Sequence, residues 1–181
     1  SEEWNAGIHA SLSNRLDFLI ECLQSGDDRR RQAMISLIDE YTGGLNTIVL
    51  SSGKEATEYS SLLLSVADTR RFDASCVALD ALLYLEFVPD DVAISRLEPL
   101  LHDGAMVRGC GYSMLGVLAM AQTNLERVRV VYLTALSAHD PDTRGALLAQ
   151  SGALLDDPVI RSRILESLRS DDPAVVGGAA L

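Results

Sequence analysis

Three aspartate–proline pairs punctuate the last third of the chain: Asp140-Pro141, Asp157-Pro158 and Asp172-Pro173. Each is a helix start written in two residues. The Asp carboxylate accepts a hydrogen bond from an amide that the first turn leaves unbonded. Proline suits the first helical position, where its missing N–H costs nothing and its fixed φ is already helical. A chain reset this often folds as short helices.

A longer period surrounds these starts. His102-Asp103-Gly104-Ala105-Met106-Val107-Arg108 aligns with His139-Asp140-Pro141-Asp142-Thr143-Arg144, with Arg three places after Ala105 and three after Pro141. The unit openings at Ala105, Pro141 and Pro173 lie 36 and then 32 residues apart, and Val176 takes the place of the Arg in the last. Pro158 falls midway and opens a second helix. Units of this length read as helix–turn–helix repeats, each covering the apolar face of its neighbour.

On these residues the chain resembles the bacterial HEAT-repeat family, including its phycobilin-lyase-type members, through Asp-Pro-x-x-Arg followed by small and apolar residues. The resemblance is clearest over 97–181, extends over 68–96 and is weak before that. It implies an all-α fold: a right-handed α-solenoid of stacked antiparallel helix pairs, about ten helices, in one HEAT-like domain over 1–181 that is irregular before residue 68. Composition agrees. Hydrophobic residues make up 48% but aromatics only 5%, so Leu, Ala and Val build the core, and Leu and Ala favour helix over sheet.

Periodicity predicts helices over 11–24, 28–41, 54–67, 71–87, 90–101, 105–120, 124–138, 142–153, 158–169 and 173–181. In 158–169, Val159, Ile160, Ile164, Leu165 and Leu168 form an apolar stripe while Arg161, Arg163, Glu166 and Arg169 stay wet. Gly43-Gly44 stops the second helix. Residues 45–53 interrupt the pattern, and Ile48, Val49 and Leu50 read as a short helical turn or a buried connecting segment. Pro99 is expected to bend its helix. Ala179-Ala180-Leu181 belong to a helix that only begins a new unit. Three expectations follow: the natural chain continues, the end packs irregularly, or another molecule covers it, including a second copy through this helix.

Fifteen basic residues against 26 acidic ones give a net charge of −11, which repels phosphate backbones and argues against nucleic acid as a partner. Arg29-Arg30-Arg31 is short and follows Asp27-Asp28. Acidity is heaviest early: residues 1–60 carry 10 acids against 5 bases, residues 121–181 carry 8 against 6. A basic partner protein would be favoured, although solubility alone also accounts for the charge. No apolar run approaches the roughly 20 residues of a membrane span. Cys22, Cys76 and Cys110 form no CxxC, sit among apolar residues and read as small core hydrophobes, which fits a reducing, cytoplasmic compartment.

Reactive clusters are few. His102-Asp103 and His139-Asp140 lie 37 residues apart at equivalent points of successive units. They resemble the His-Glu pairs of HEAT-like deoxyhypusine hydroxylases, with Asp for Glu. Both aspartates already serve as helix caps, so no metal and no cofactor is expected. Ser51-Ser52-Gly53-Lys54 lacks the upstream glycine of a phosphate-binding loop. The recurring Arg108 and Arg144 are expected to fix the stacking through an acid or carbonyl of the neighbouring unit. Within Glu86, Pro89, Asp90 and Asp91, one of the two aspartates is expected to cap the next helix. Tyr84, Tyr112 and Tyr132 are expected to pack in the core.

The function expected is therefore a non-enzymatic protein-interaction module, with the second helices 90–101, 124–138 and 158–169 lining a concave surface and Arg96, Arg127, Arg163 and Glu166 as its wet contact residues. One alternative is an acidic immunity or inhibitor protein that binds a basic toxin. The resemblance supplies another, a phycobilin-lyase-like or metal-dependent HEAT enzyme. A helical-repeat DNA glycosylase would need a basic face that the charge balance denies.

Overall fold

The computed structural model describes residues 2–41 and 43–181 and is all-helical, with no strand among the described residues. It divides into two compact units, residues 1–85 and 86–181. Twelve α-helices are present among the described residues, where about ten were expected. The difference lies in the first unit.

That unit contains α1 (Glu2–Ser13), α2 (Leu16–Gln24), α3 (Asp28–Tyr41), α4 (Leu45–Ser51), α5 (Ala56–Ala67) and α6 (Phe72–Tyr84). The helix expected over 11–24 is broken between Ser13 and Leu16, and α1 starts far earlier than the pattern suggests. The segment from residue 45 is helical, with Leu45, Ile48 and Val49 buried and Leu50 exposed. Gly43 and Gly44 after α3 both take positive φ, 70° and 118°, which suits a helix stop. Packing here does not alternate: α2 lies against α3 and α5, α4 against α1 and α6, and α3 against α6.

A buried cation pins this unit. Arg31 donates Nε to Asp73 at 2.8 Å, Nη1 to the Ser25 carbonyl at 2.9 Å and Nη2 to Asp28 at 2.7 Å. With every arm of the guanidinium bonded, its burial is offset. Its neighbour Arg30 lies 5.4 Å over the Phe18 ring and bonds Glu21 at 3.1 Å. Arg30 and Arg31 of the basic triplet thus face different surroundings and are both engaged within the unit.

The second unit holds α7 (Asp91–Leu101), α8 (Gly104–Ala119), α9 (Leu125–Ala138), α10 (Pro141–Ala149), α11 (Pro158–Ser167) and α12 (Pro173–Ala180), with short 3-10 turns at Gln122–Asn124 and Ser151–Leu154. Asp90, Asp103, Asp140, Asp157 and Asp172 each accept from an amide of the first turn of the helix that follows. The local code therefore works at five starts. Packing alternates. α7, α9 and α11 lie side by side in one row, α8, α10 and α12 in the other, and the pairs α7–α8, α8–α9, α9–α10 and α11–α12 bridge the rows.

Three details depart from expectation. Pro99 lies inside α7, and a break in helical geometry that the sequence does not signal occurs in α8, where Cys110 adopts φ −130° and ψ 23°. Beside it, the Gln150 side chain fills the space a Cβ on Gly111 would occupy, and its Oε1 is buried with no hydrogen-bond partner among the described residues. Tyr132 is fully buried as expected, but Tyr84 and Tyr112 are exposed, and Cys76 is only half-buried while Cys22 and Cys110 are buried. In α11 only Ile160 and Ile164 of the expected stripe are buried; Val159, Leu165 and Leu168 are exposed.

Candidate functional site

The row α7–α9–α11 carries the polar residues that sequence singles out, and the structure assigns them different work. Arg127 on α9 donates to Glu98 on α7 at 2.7 Å. Arg163 donates to Glu166 one turn along α11 at 3.0 Å. Both pairs are at least partly solvated, so each contributes modestly to stability. Arg96 is half-buried on α7. The four do not converge on one point, but Arg163 and Glu166 share a groove.

That groove runs between α9 and α11. It encloses about 530 Å³ between Leu133 and Ser137 on one side and Pro158, Val159, Ser162, Arg163 and Glu166 on the other. Ser137, Arg163 and Glu166 also wall a second hollow of about 290 Å³, which reaches Arg144 on α10 and Val175 on α12. At the other end, Pro158 separates the groove from a pocket of about 310 Å³ bounded by Ala119, Leu125, Val128, Arg129, Leu154, Asp156, Asp157 and Ile160. Three hollows thus follow one helix seam.

Arg129 and Asp157 hold this seam at its N-terminal end, and sequence reading missed their pairing. Asp157 caps α11 through the Val159 and Ile160 amides at 2.9 and 3.0 Å and takes Arg129 Nε and Nη2 at 3.0 and 2.9 Å on the same carboxylate. Burial pushes the Asp157 carboxyl up. The Arg129 guanidinium and the two amides outweigh that and hold it below its ordinary value. Arg129 also bonds Glu126. No local signal marks the link, because the partners are 28 residues apart.

The recurring arginines differ from each other. Arg108 Nη1 donates to Thr143 Oγ1 on α10 at 2.6 Å, a hydroxyl of the next unit in place of the expected acid or carbonyl. Thr143 is fully buried and passes its own proton toward Asp140 Oδ2 at 2.8 Å. Arg144 instead turns back, donating Nε to the Leu136 carbonyl and Nη2 to the His139 carbonyl, both at 3.0 Å. It closes the C-terminus of α9, where carbonyls lack helical partners.

The repeat-related histidines do come together, with ring centroids 6.4 Å apart. His139 Nε2 donates to the Leu101 carbonyl at 2.6 Å, while Asp103 and Asp140 are occupied as caps. No group of three or more His, Cys, Asp or Glu suited to a metal ion occurs among the described residues. Lys54, from the Ser-Ser-Gly-Lys turn, pairs with Glu58 and lies 3.5 Å from Asp17. None of the helices among the described residues is long and apolar enough to cross a membrane. No protein-family model, curated protein or solved structure matches the chain.

Proposed function

We propose that residues 86–181 form a HEAT-like, right-handed α-solenoid and that the chain is a non-enzymatic protein-interaction module. The two alternating rows support the solenoid reading, since each helix meets its next-but-one neighbour. The docking face is the row α7–α9–α11. The observation that carries the function is the line of hollows along the α9–α11 seam. Val159 remains exposed inside it, while Arg127 and Arg129 are occupied in holding neighbouring helices. What the seam offers a partner is shape and apolar surface.

The test is affinity capture from the source cells with the intact chain and with a Val159→Glu, Arg163→Glu variant of matching helical content. A partner held by the first and lost by the second, by about ten-fold or more as for a hot-spot change, supports the reading. A partner held equally by both, or no partner, overturns it.

The net charge of −11 favours a second reading, an acidic inhibitor or immunity protein directed at a basic toxin. Such binding weakens steeply as salt rises, and capture indifferent to salt removes it. The phycobilin-lyase-like and metal-dependent alternatives draw on resemblance alone, which is a weak warrant for activity. A spectral change on adding a bilin, or metal content in the purified chain, would be their support.

A further inference from the structure

We infer that the flank of α11 turned away from α9 docks an acidic amphipathic helix of another protein. This surface is distinct from the α9–α11 groove. Val159, Arg163 and Glu166 line that groove. At about 100° per residue, Arg161, Leu165 and Leu168 fall on the opposite side of the same helix. Leu165 is 58% exposed and Leu168 is 41% exposed. They form an open apolar stripe beside Ile160 and Ile164, which are buried.

Charge selects the occupant. Among the arginines of residues 86–181, Arg127, Arg129 and Arg163 are held in ion pairs. Arg108 and Arg144 bond a hydroxyl and two carbonyls. Arg161 and Arg169 are exposed and have no side-chain partner among the described residues. These two bracket the open leucines. Neither pairs with Asp156 or Asp171, the exposed acids just beyond the two ends of α11. A partner with a carboxylate at each end of a short apolar stripe meets all four side chains. A second copy of the chain does not, because a two-fold contact of α11 with itself sets arginine against arginine. The net charge of −11 repels an acidic partner at long range, but that field fades within about 8 Å at physiological salt. At contact, the free guanidiniums decide. The occupant is helical because α9 already packs on the other flank, and a helix on this side repeats that packing.

The test uses a synthetic alanine-based helical peptide with two leucines one turn apart, bracketed by glutamates. Versions with glutamine and with lysine in place of glutamate are the controls. Each is titrated into the full chain and read by methyl NMR. The glutamate peptide should shift the Leu165 and Leu168 methyls and bind about five-fold more tightly than the glutamine peptide, the scale of two exposed ion pairs. Arg161→Gln together with Arg169→Gln should erase that preference, whereas Val159→Glu with Arg163→Glu, in the groove, should leave it intact. Shifts that are absent or lie elsewhere, equal binding of the glutamine peptide, tighter binding of the lysine peptide, or a preference that survives Arg161→Gln with Arg169→Gln would overturn the proposal. Leu165 and Leu168 methyls that shift with chain concentration alone would also overturn it, because a second copy would then cover this flank.

Discussion

Gly145 and Gly178 face each other where α10 crosses α12, so closely that a Cβ on Gly178 would lie 2.6 Å from the Gly145 Cα. A Cβ on Gly145 would in turn lie 2.9 Å from the Ala174 carbonyl carbon. The obstructing atoms are backbone, which cannot swing aside. Ordinarily Gly→Ala in a helix stabilises by about 1 kcal/mol. Here Gly145→Ala and Gly178→Ala should each destabilise by about 1–3 kcal/mol through overpacking. Gly177, one residue away with open space around its Cβ position, should show the ordinary gain. Urea denaturation of the three variants decides, and a stabilised Gly178→Ala would refute the close crossing.

Asp157 should link stability to acid. Its carboxyl is raised by burial but held by Arg129 and the Ile160 and Val159 amides below the ordinary 3.8. The unfolded chain therefore takes up this proton first as pH falls. The contribution is whole above the ordinary carboxylate value and is lost as pH drops through the lowered one. Asp157→Ala should cost about 2 kcal/mol at neutral pH, roughly half from the cap and the rest from the ion pair. As pH falls below the ordinary 3.8, the cost should shrink. Chemical denaturation at neutral and acid pH checks this; an undiminished cost in acid would mean that the charge is irrelevant.

Tyr132 does the reverse at alkaline pH. Burial pushes its hydroxyl up from 10.0 to about 12. The Ser151 hydroxyl donates to the Leu147 carbonyl at 2.6 Å, so Tyr132 is the donor to Ser151 at 2.7 Å. Between those two pH values the unfolded tyrosine is ionised and the folded one is not, so stability falls as pH rises above 10.0. Tyr132→Phe should cost about 1 kcal/mol at neutral pH and flatten this alkaline loss. A thermal-melt series across pH would show it, and an unchanged alkaline slope would count against the assignment.

Two leucine-sized residues of α11 give a direct contrast. Ile164 is buried and Leu165 is 58% exposed. Ile164→Ala should cost about 2–5 kcal/mol, whereas Leu165→Gln should stay within about 0.5 kcal/mol. Equal losses in denaturant would restore the wide stripe read from the sequence.

That stripe shows where sequence stops being legible. The five aspartate caps are readable because cap and amides lie within three residues of each other, and chain-local chemistry decides them. The hydrophobic pattern of 158–169 says only which residues share a face, and Ile160 and Ile164 alone are covered by neighbours. Helix α1 escaped notice because its residues, Glu2–Ser13, carry no clear stripe. Tyr84 and Tyr112 sit on helices whose other residues, among them Leu79 and Leu82 on α6 and Met114 and Leu115 on α8, supply the buried face, and the rings lie outside.

The candidate site divides in the same way. Arg163 and Glu166 could be picked from sequence because they lie on one wet face of one helix. Their groove needs α9 beside α11. The link from Arg129 to Asp157 depends on rows of helices that no local pattern encodes.

The sparse burial of α11 has a mechanical meaning. Across the groove stands α9, anchored by Val128, Val131, Tyr132, Ala135 and Leu136, whereas α11 sinks only two side chains. Elements with few buried contacts open at the least free energy. The channel thus has one stiff bank and one compliant bank, and its width can follow the shape of whatever lies in it.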